Sequence, residues 1–260
     1  MFGMVIFERT LIWLVMVVVA LVVVAFLTLP IGCRYCVRAV LFERPVGRDG
    51  DVRVFAGEGA YAKSAQQVLT HLPEAKRRVA GLLGPQGIQA DIVIAPRDQF
   101  GEHVDYAGAM FDRVFGSPVL VLPIDSISTN TTAHELVHAV LENRQNWWRS
   151  ATDMPVWFNE GLAMQVDYGS SFGVDVLCQL SSNYGWPSYQ KLRYPEGFYT
   201  ARTQQEVLRN YAWAKGAVWT LLQQGSFVEN LKAHLKGQPW EAAFGRFDAV
   251  LNGYTARSTC

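Results

Sequence analysis

The sequence predicts an α+β fold in three parts: an N-terminal transmembrane helix, a small β-sheet with one helix packed across it, and a mainly helical lobe. Three observations carry this expectation. Thr10 to Leu29, "TLIWLVMVVVALVVVAFLTL", are twenty residues without a charge, about the number that crosses a bilayer core of roughly 30 Å. Short β-rich runs occupy the chain up to Pro123, and from Asn130 onward apolar residues recur at helical spacing. A chain of 260 residues, 50% of them hydrophobic, buries one core of ordinary size beside such an appendage. The expected division is a membrane anchor over 1–36, a juxtamembrane linker over 37–50 and one domain over 51–260.

The elements follow in order. The leading apolar run exceeds the roughly 7 to 15 residues of a secretory signal's apolar region and lacks a small-residue cleavage site, so it reads as a retained single pass and a membrane contact. Arg34, Arg38, Arg44 and Arg48 follow it, against Arg9 before it, and this count leans to a cytoplasmic C-terminal domain. "DVRVFAG" alternates like a strand. "AYAKSAQQVLTHLPEAKRRVAGLLG" carries apolar residues at helical spacing and stops at Gly84. "ADIVIAP" and "SPVLVLP" read as strands, the second as an edge-strand candidate, joined by a polar connection. Helices are expected near 131–145, 155–168, 205–223, 226–236 and 239–251, with "SSNYGWPSYQKLRYPEGFYTAR" as a long aromatic connection.

Composition narrows the function. The net charge is zero and no basic stripe is present, so nucleic acid is not an expected partner. Cys33, Cys36, Cys178 and Cys260 can make two pairs or none, and Cys33 and Cys36 lack the second pair of a metal-binding set.

The chemistry concentrates in "TTAHELVHAVLE", residues 131–142. Residues four apart on an α-helix stand about 40° apart on one face, one turn above each other, so His134 and His138 can reach one ion. Glu135 and Glu142 flank that face, while Ala133, Leu136, Val137, Val140 and Leu141 gather opposite. A catalytic zinc needs three protein ligands and keeps the fourth position for water. "PVWFNEGLA" supplies Glu160 on a helix opened by Pro155, with 21 residues between His138 and Glu160 to turn the chain back. At such a site zinc lowers the pKa of water from about 16 toward about 7, and a nearby carboxylate takes the proton during attack on a carbonyl. Glu135 has that position. Its alternative is a capping box with Thr132.

"HELVH" followed by "WFNEGLA" resembles the gluzincin zinc peptidases of the peptidase MA-like group, loosely over residues 51–251. The resemblance implies a zincin-like lobe, Zn²⁺ as cofactor, His134, His138 and Glu160 as its ligands, Glu135 as general base, and a peptide or protein substrate. These peptidases often carry a tyrosine for the tetrahedral intermediate in a Tyr-x-Lys-Gly string. Here Trp213 stands at that place before Lys215 and Gly216, and Tyr211, two residues earlier, is the substitute candidate for the oxyanion. "GAMF" at 108–111 is similar to an aminopeptidase string but has Phe111 for its glutamate, so aminopeptidase specificity is not implied. Met164 replaces an aspartate that supports the ligands in thermolysin-like relatives, with Asp167 as a candidate in its stead. Trp147, Trp148, Trp186 and the tyrosines of 184–199 are core or cleft residues, and His71, His103 and His234 structural ones.

The leading reading is a membrane-anchored zinc metallopeptidase. The alternative is a membrane-tethered pseudopeptidase or zinc-binding interaction domain without hydrolytic activity.

Overall fold

The structure is a computed structural model that describes residues 13–20, 31–56, 61–97, 110–114, 117–145, 154–169, 172–200 and 202–245. It is α+β. A five-stranded sheet is built from β1 (Gly47–Asp49), β2 (Val52–Phe55), β3 (Ala90–Ala95), β4 (Met110–Val114) and β5 (Ser117–Pro123), in the order β1-β2-β3-β5-β4. The three inner strands run parallel, and β1 and β4 pair antiparallel at the two edges. "SPVLVLP" is therefore an inner strand, and β4, from the stretch read as connection and loop, closes that edge.

The strands obey the period of two that puts alternate side chains on opposite faces. Val52, Val54, Ile92, Ile94, Leu120 and Leu122 enter the main core, while Phe55, Val93, Ala95, Val119 and Val121 enter a smaller one. Both faces of β3 are covered, which is why "ADIVIA" reads as a continuous apolar run rather than an alternating one. The smaller core is closed by Cys36 and Ala39 of helix α1 (Ile31–Phe42). Residues 37–50, expected to be a linker, thus form a packed helix and the edge strand β1.

The main core is closed by α2 (Ala62–Leu83), which lays Ala65, Val68, Leu72, Ala75 and Val79 on one stripe, and by α3 (Thr129–Arg144). Beyond them lie α4 (Val156–Ala163), α5 (Val174–Tyr184), a 3₁₀ turn at Lys191–Arg193, α6 (Pro195–Tyr199), α7 (Gln204–Leu222), α8 (Phe227–Leu235) and α9 (Trp240–Phe244). Helix α5 and helix α6 were not expected from the sequence, and the end of the expected 239–251 helix lies outside the described residues. Trp157, Phe158, Phe227, Trp240 and Phe244 form an aromatic plug beneath α4, with Trp240 stacked on Phe244 at 4.4 Å and edge-on to Phe158 at 4.7 Å.

The transmembrane expectation is corrected. Among the described residues no helix is long and apolar enough to cross a membrane. Residues 13–20 are helical. The rest of Thr10 to Leu29 lies outside the described residues. The single-pass assignment, the membrane contact and the cytoplasmic lean go with it. Cys178 on α5 is disulfide-bonded.

Candidate metal centre

The HELVH helix is capped one residue before it starts: Ser128 Oγ accepts from the Thr131 backbone N–H at 3.0 Å. Thr132 is already inside the helix, so the capping box that competed for Glu135 does not form. Every residue from Thr132 to Leu141 is buried. The polar stripe is therefore not a solvated face. His134, Glu135 and His138 are enclosed, and one ligand atom from each lies within 4.8 Å of the other two, a group that could hold a metal ion.

Glu160 faces this group from α4. Its Oε2 is 3.2 Å from His134 Nε2 and its Oε1 is 3.6 Å from His138 Nε2. Two ligand atoms each about 2.0–2.1 Å from one tetrahedral ion stand about 3.4 Å apart, and the two separations, which reach different oxygens of the one carboxylate, are close to that length. His138 Nδ1–H donates to Asn159 Oδ1 at 3.0 Å, a bond that assigns the tautomer and leaves Nε2 toward Glu160. A buried set of two imidazole nitrogens and two carboxylates, one imidazole fixed from behind, could hold a metal ion.

Helix α4 holds Glu160 because of what surrounds it. Trp157 and Phe158 anchor the helix in the aromatic plug, with Trp157 edge-on to Trp213 at 5.6 Å. On the next face Gly161 touches α7: a Cβ there would stand 2.4 Å from the Ala214 carbonyl oxygen. Gln165 Nε2 donates to the Gly161 and Lys215 carbonyls at 2.8 and 2.9 Å and ties the two helices together. The helix ends at Ala163 and continues in three-residue turns, Gln165 N–H to Leu162 O and Val166 N–H to Ala163 O. Asp167 is thus off the helix, and the face it was expected to share with Glu160 does not exist. Its Oδ1 accepts from the Gly169 N–H at 2.8 Å instead.

Electrostatics follow from burial. Burial disfavours the charge on His134, but the Glu160 hydrogen bond and the charges of Glu135 and Glu160 win and hold its pKa above the ordinary value. Burial likewise opposes charge on Glu160, yet His138 and His134 pull its carboxyl well below the usual range. Burial pushes the Glu135 carboxyl up, against the pull of the two imidazoles. The two carboxylates beside one pair of imidazoles thus shift in opposite directions, Glu160 down and Glu135 up.

Tyr211 and Trp213, two apart on regular helix α7, point different ways. Trp213 is fully buried against Trp157 in the plug. Tyr211 packs on Phe198 at 4.9 Å and Phe172 at 5.8 Å. Its phenol is pushed up first by burial and then by Glu160 and Glu135, which places it on the carboxylate side and keeps it a donor. A tyrosine that sequence reasoning named only among cleft aromatics also enters: Tyr199 O–H donates to Glu160 Oε1 at 2.6 Å. No spacing rule marks it, because it reaches Glu160 across 39 residues. A cavity of about 520 Å³ opens beside α4, lined by Tyr189, Lys191, Tyr194, Trp157 and Trp240 among others, and none of the four enclosed site residues lines it. Of the other histidines, His71 pairs with Thr129 Oγ1 at 2.9 Å and His234 is buried with Nδ1–H to the Gln238 carbonyl at 2.9 Å. His103, Trp147 and Trp148 lie outside the described residues.

No family model matches the chain, and neither the curated proteins nor the solved structures supply a match.

Proposed function

We propose that this protein is a zinc-dependent peptidase, with His134, His138 and Glu160 as ligands and Glu135 as general base. The observation that carries it is the convergence of both imidazole Nε2 atoms on Glu160, at 3.2 and 3.6 Å, with buried Glu135 beside them. The sequence likeness to gluzincins points the same way. Zinc, when bound, supplies the Lewis acidity that makes water a nucleophile near neutral pH. Glu135 takes the proton from the attacking water and returns it to the leaving amine. Burial pushes its carboxyl up, the direction that favours a group taking and returning a proton. Asn159 fixes the His138 ring, and Tyr211 is the hydroxyl available to a developing oxyanion.

A second reading, a zinc-binding interaction domain without hydrolysis, draws on Trp213, which stands in the plug where the tyrosine of the related string is expected. Metal analysis of the purified chain together with a mixed peptide library separates the two. Zinc near one per chain with cleavage supports the peptidase, stoichiometric zinc without cleavage supports the binding domain, and no zinc rejects both.

A further inference from the structure

We propose that Tyr199 is a positioning residue whose hydroxyl holds the Glu160 carboxylate in place and thereby sets the affinity of the metal centre, an inference that rests on Glu160 being a ligand. The hydroxyl donates to Oε1 at 2.6 Å, while Oε2 is the oxygen in contact with His134. One lone pair of Oε1 is thereby occupied, and the carboxylate plane is pinned between the phenol and the imidazoles. The side chain of Met164, the residue that closes α4, is a thioether with no N–H or O–H to offer the ligands.

The short helix that carries Tyr199 is itself held rigidly. Asn210, buried on α7, donates through Nδ2 to the Phe198 carbonyl at 2.9 Å. Phe198 is fully buried, with its ring 4.9 Å from Tyr211 and 5.1 Å from Tyr199. Gly197 lies so close to the preceding turn that a Cβ would stand 2.0 Å from the Lys191 carbonyl oxygen. Tyr199 alone of this group keeps part of its ring in solvent, 36% exposed, while its hydroxyl points inward. A residue fixed from both sides, with an exposed ring and a buried donor, acts on the ligand more than on the core.

Tyr199→Phe removes the hydroxyl and keeps the ring. Zinc dissociation constants measured by competition with a chromophoric chelator are expected to weaken about 10- to 100-fold, the usual effect of losing a partner behind a ligand. The metal-free variant should still fold, melting somewhat below the metal-free wild type because one hydrogen bond to the buried Glu160 carboxylate is lost, and the visible band of the cobalt-loaded variant should shift. Tyr194→Phe, on an exposed neighbour in the same segment, should change neither. An unchanged zinc constant in Tyr199→Phe, with zinc bound by the wild type, overturns the assignment of Tyr199 alone. Absence of zinc binding by the wild type overturns both this assignment and the site reading beneath it. A zinc affinity unchanged beside a lowered metal-free melting temperature assigns the hydroxyl to the fold alone and overturns the proposal as well.

Discussion

Two regions deliver side chains to Glu160, and they do so by different physics. Helix α3 brings His134, Glu135 and His138 by local periodicity: one regular helix, capped by Ser128 and buried from Thr132 to Leu141. The segment from 185 to 200 brings Tyr199 by tertiary contacts, a 3₁₀ turn and a five-residue helix pinned by Asn210 and Phe198. Periodic placement is legible from residue spacing. Tertiary placement is not, because a short helix this far along the chain has no period of its own to betray which side chain turns inward.

Four changes sharpen that contrast, from the largest effect to the smallest. Glu135→Gln keeps the helix and removes only the proton carrier, so peptide cleavage should fall by about 10²- to 10⁴-fold with zinc content unchanged. Steady-state rates beside metal analysis check this, and a variant that cleaves at the wild-type rate removes Glu135 from the chemistry. Asn159→Ala frees the His138 ring and should weaken zinc about 10- to 100-fold, read in a chelator titration. If affinity holds, the bond to Nδ1 is packing alone. Gly161→Ala forces a methyl group to within 2.4 Å of the Ala214 carbonyl oxygen, and the overpacking should destabilise the fold by about 1–3 kcal/mol. Thermal melts decide it, and an unmoved melting temperature means α4 and α7 can separate freely.

The smallest effect is on pH. The metal-free His134 has a pKa raised above its ordinary 6.5, chiefly through Glu160 working against burial. Its contribution to stability is therefore fully present below 6.5 and lost as pH rises through the raised value. Glu160 is depressed below its ordinary 4.5, so its contribution is present above 4.5 and lost as pH falls through the lowered value. Metal-free melts should decline on the alkaline side, and zinc-loaded melts should not, because the ion has displaced the His134 proton. Parallel curves would show that His134 does not exchange its proton for metal.

Much of the architecture was readable in advance. Strands β3 and β5 and helices α2, α3 and α7 rest on periodicity or on apolar runs, and Glu160 on the second string, "WFNEGLA". The misreadings share a cause in context. The linker over 37–50 holds a helix whose buried Cys36 and Ala39 make sense only against Phe55, Val93 and Val119 of the sheet. Asp167 was placed on the Glu160 face by extending α4 past Met164, where the chain instead turns in shorter steps. Among the described residues the apolar run after Thr10 yields eight helical residues and no membrane-crossing helix. That Trp213 faces the aromatic plug while Tyr211 packs on Phe198 is a matter of packing on α7 that spacing does not reveal.

The most direct test is the zinc content and affinity of the wild type against His134→Ala, which deletes one of the two imidazoles facing Glu160. About one zinc per chain, lost in His134→Ala while the fold persists, is the expected result. Absence of zinc from the wild type, or zinc retained undiminished by His134→Ala, contradicts the metal centre.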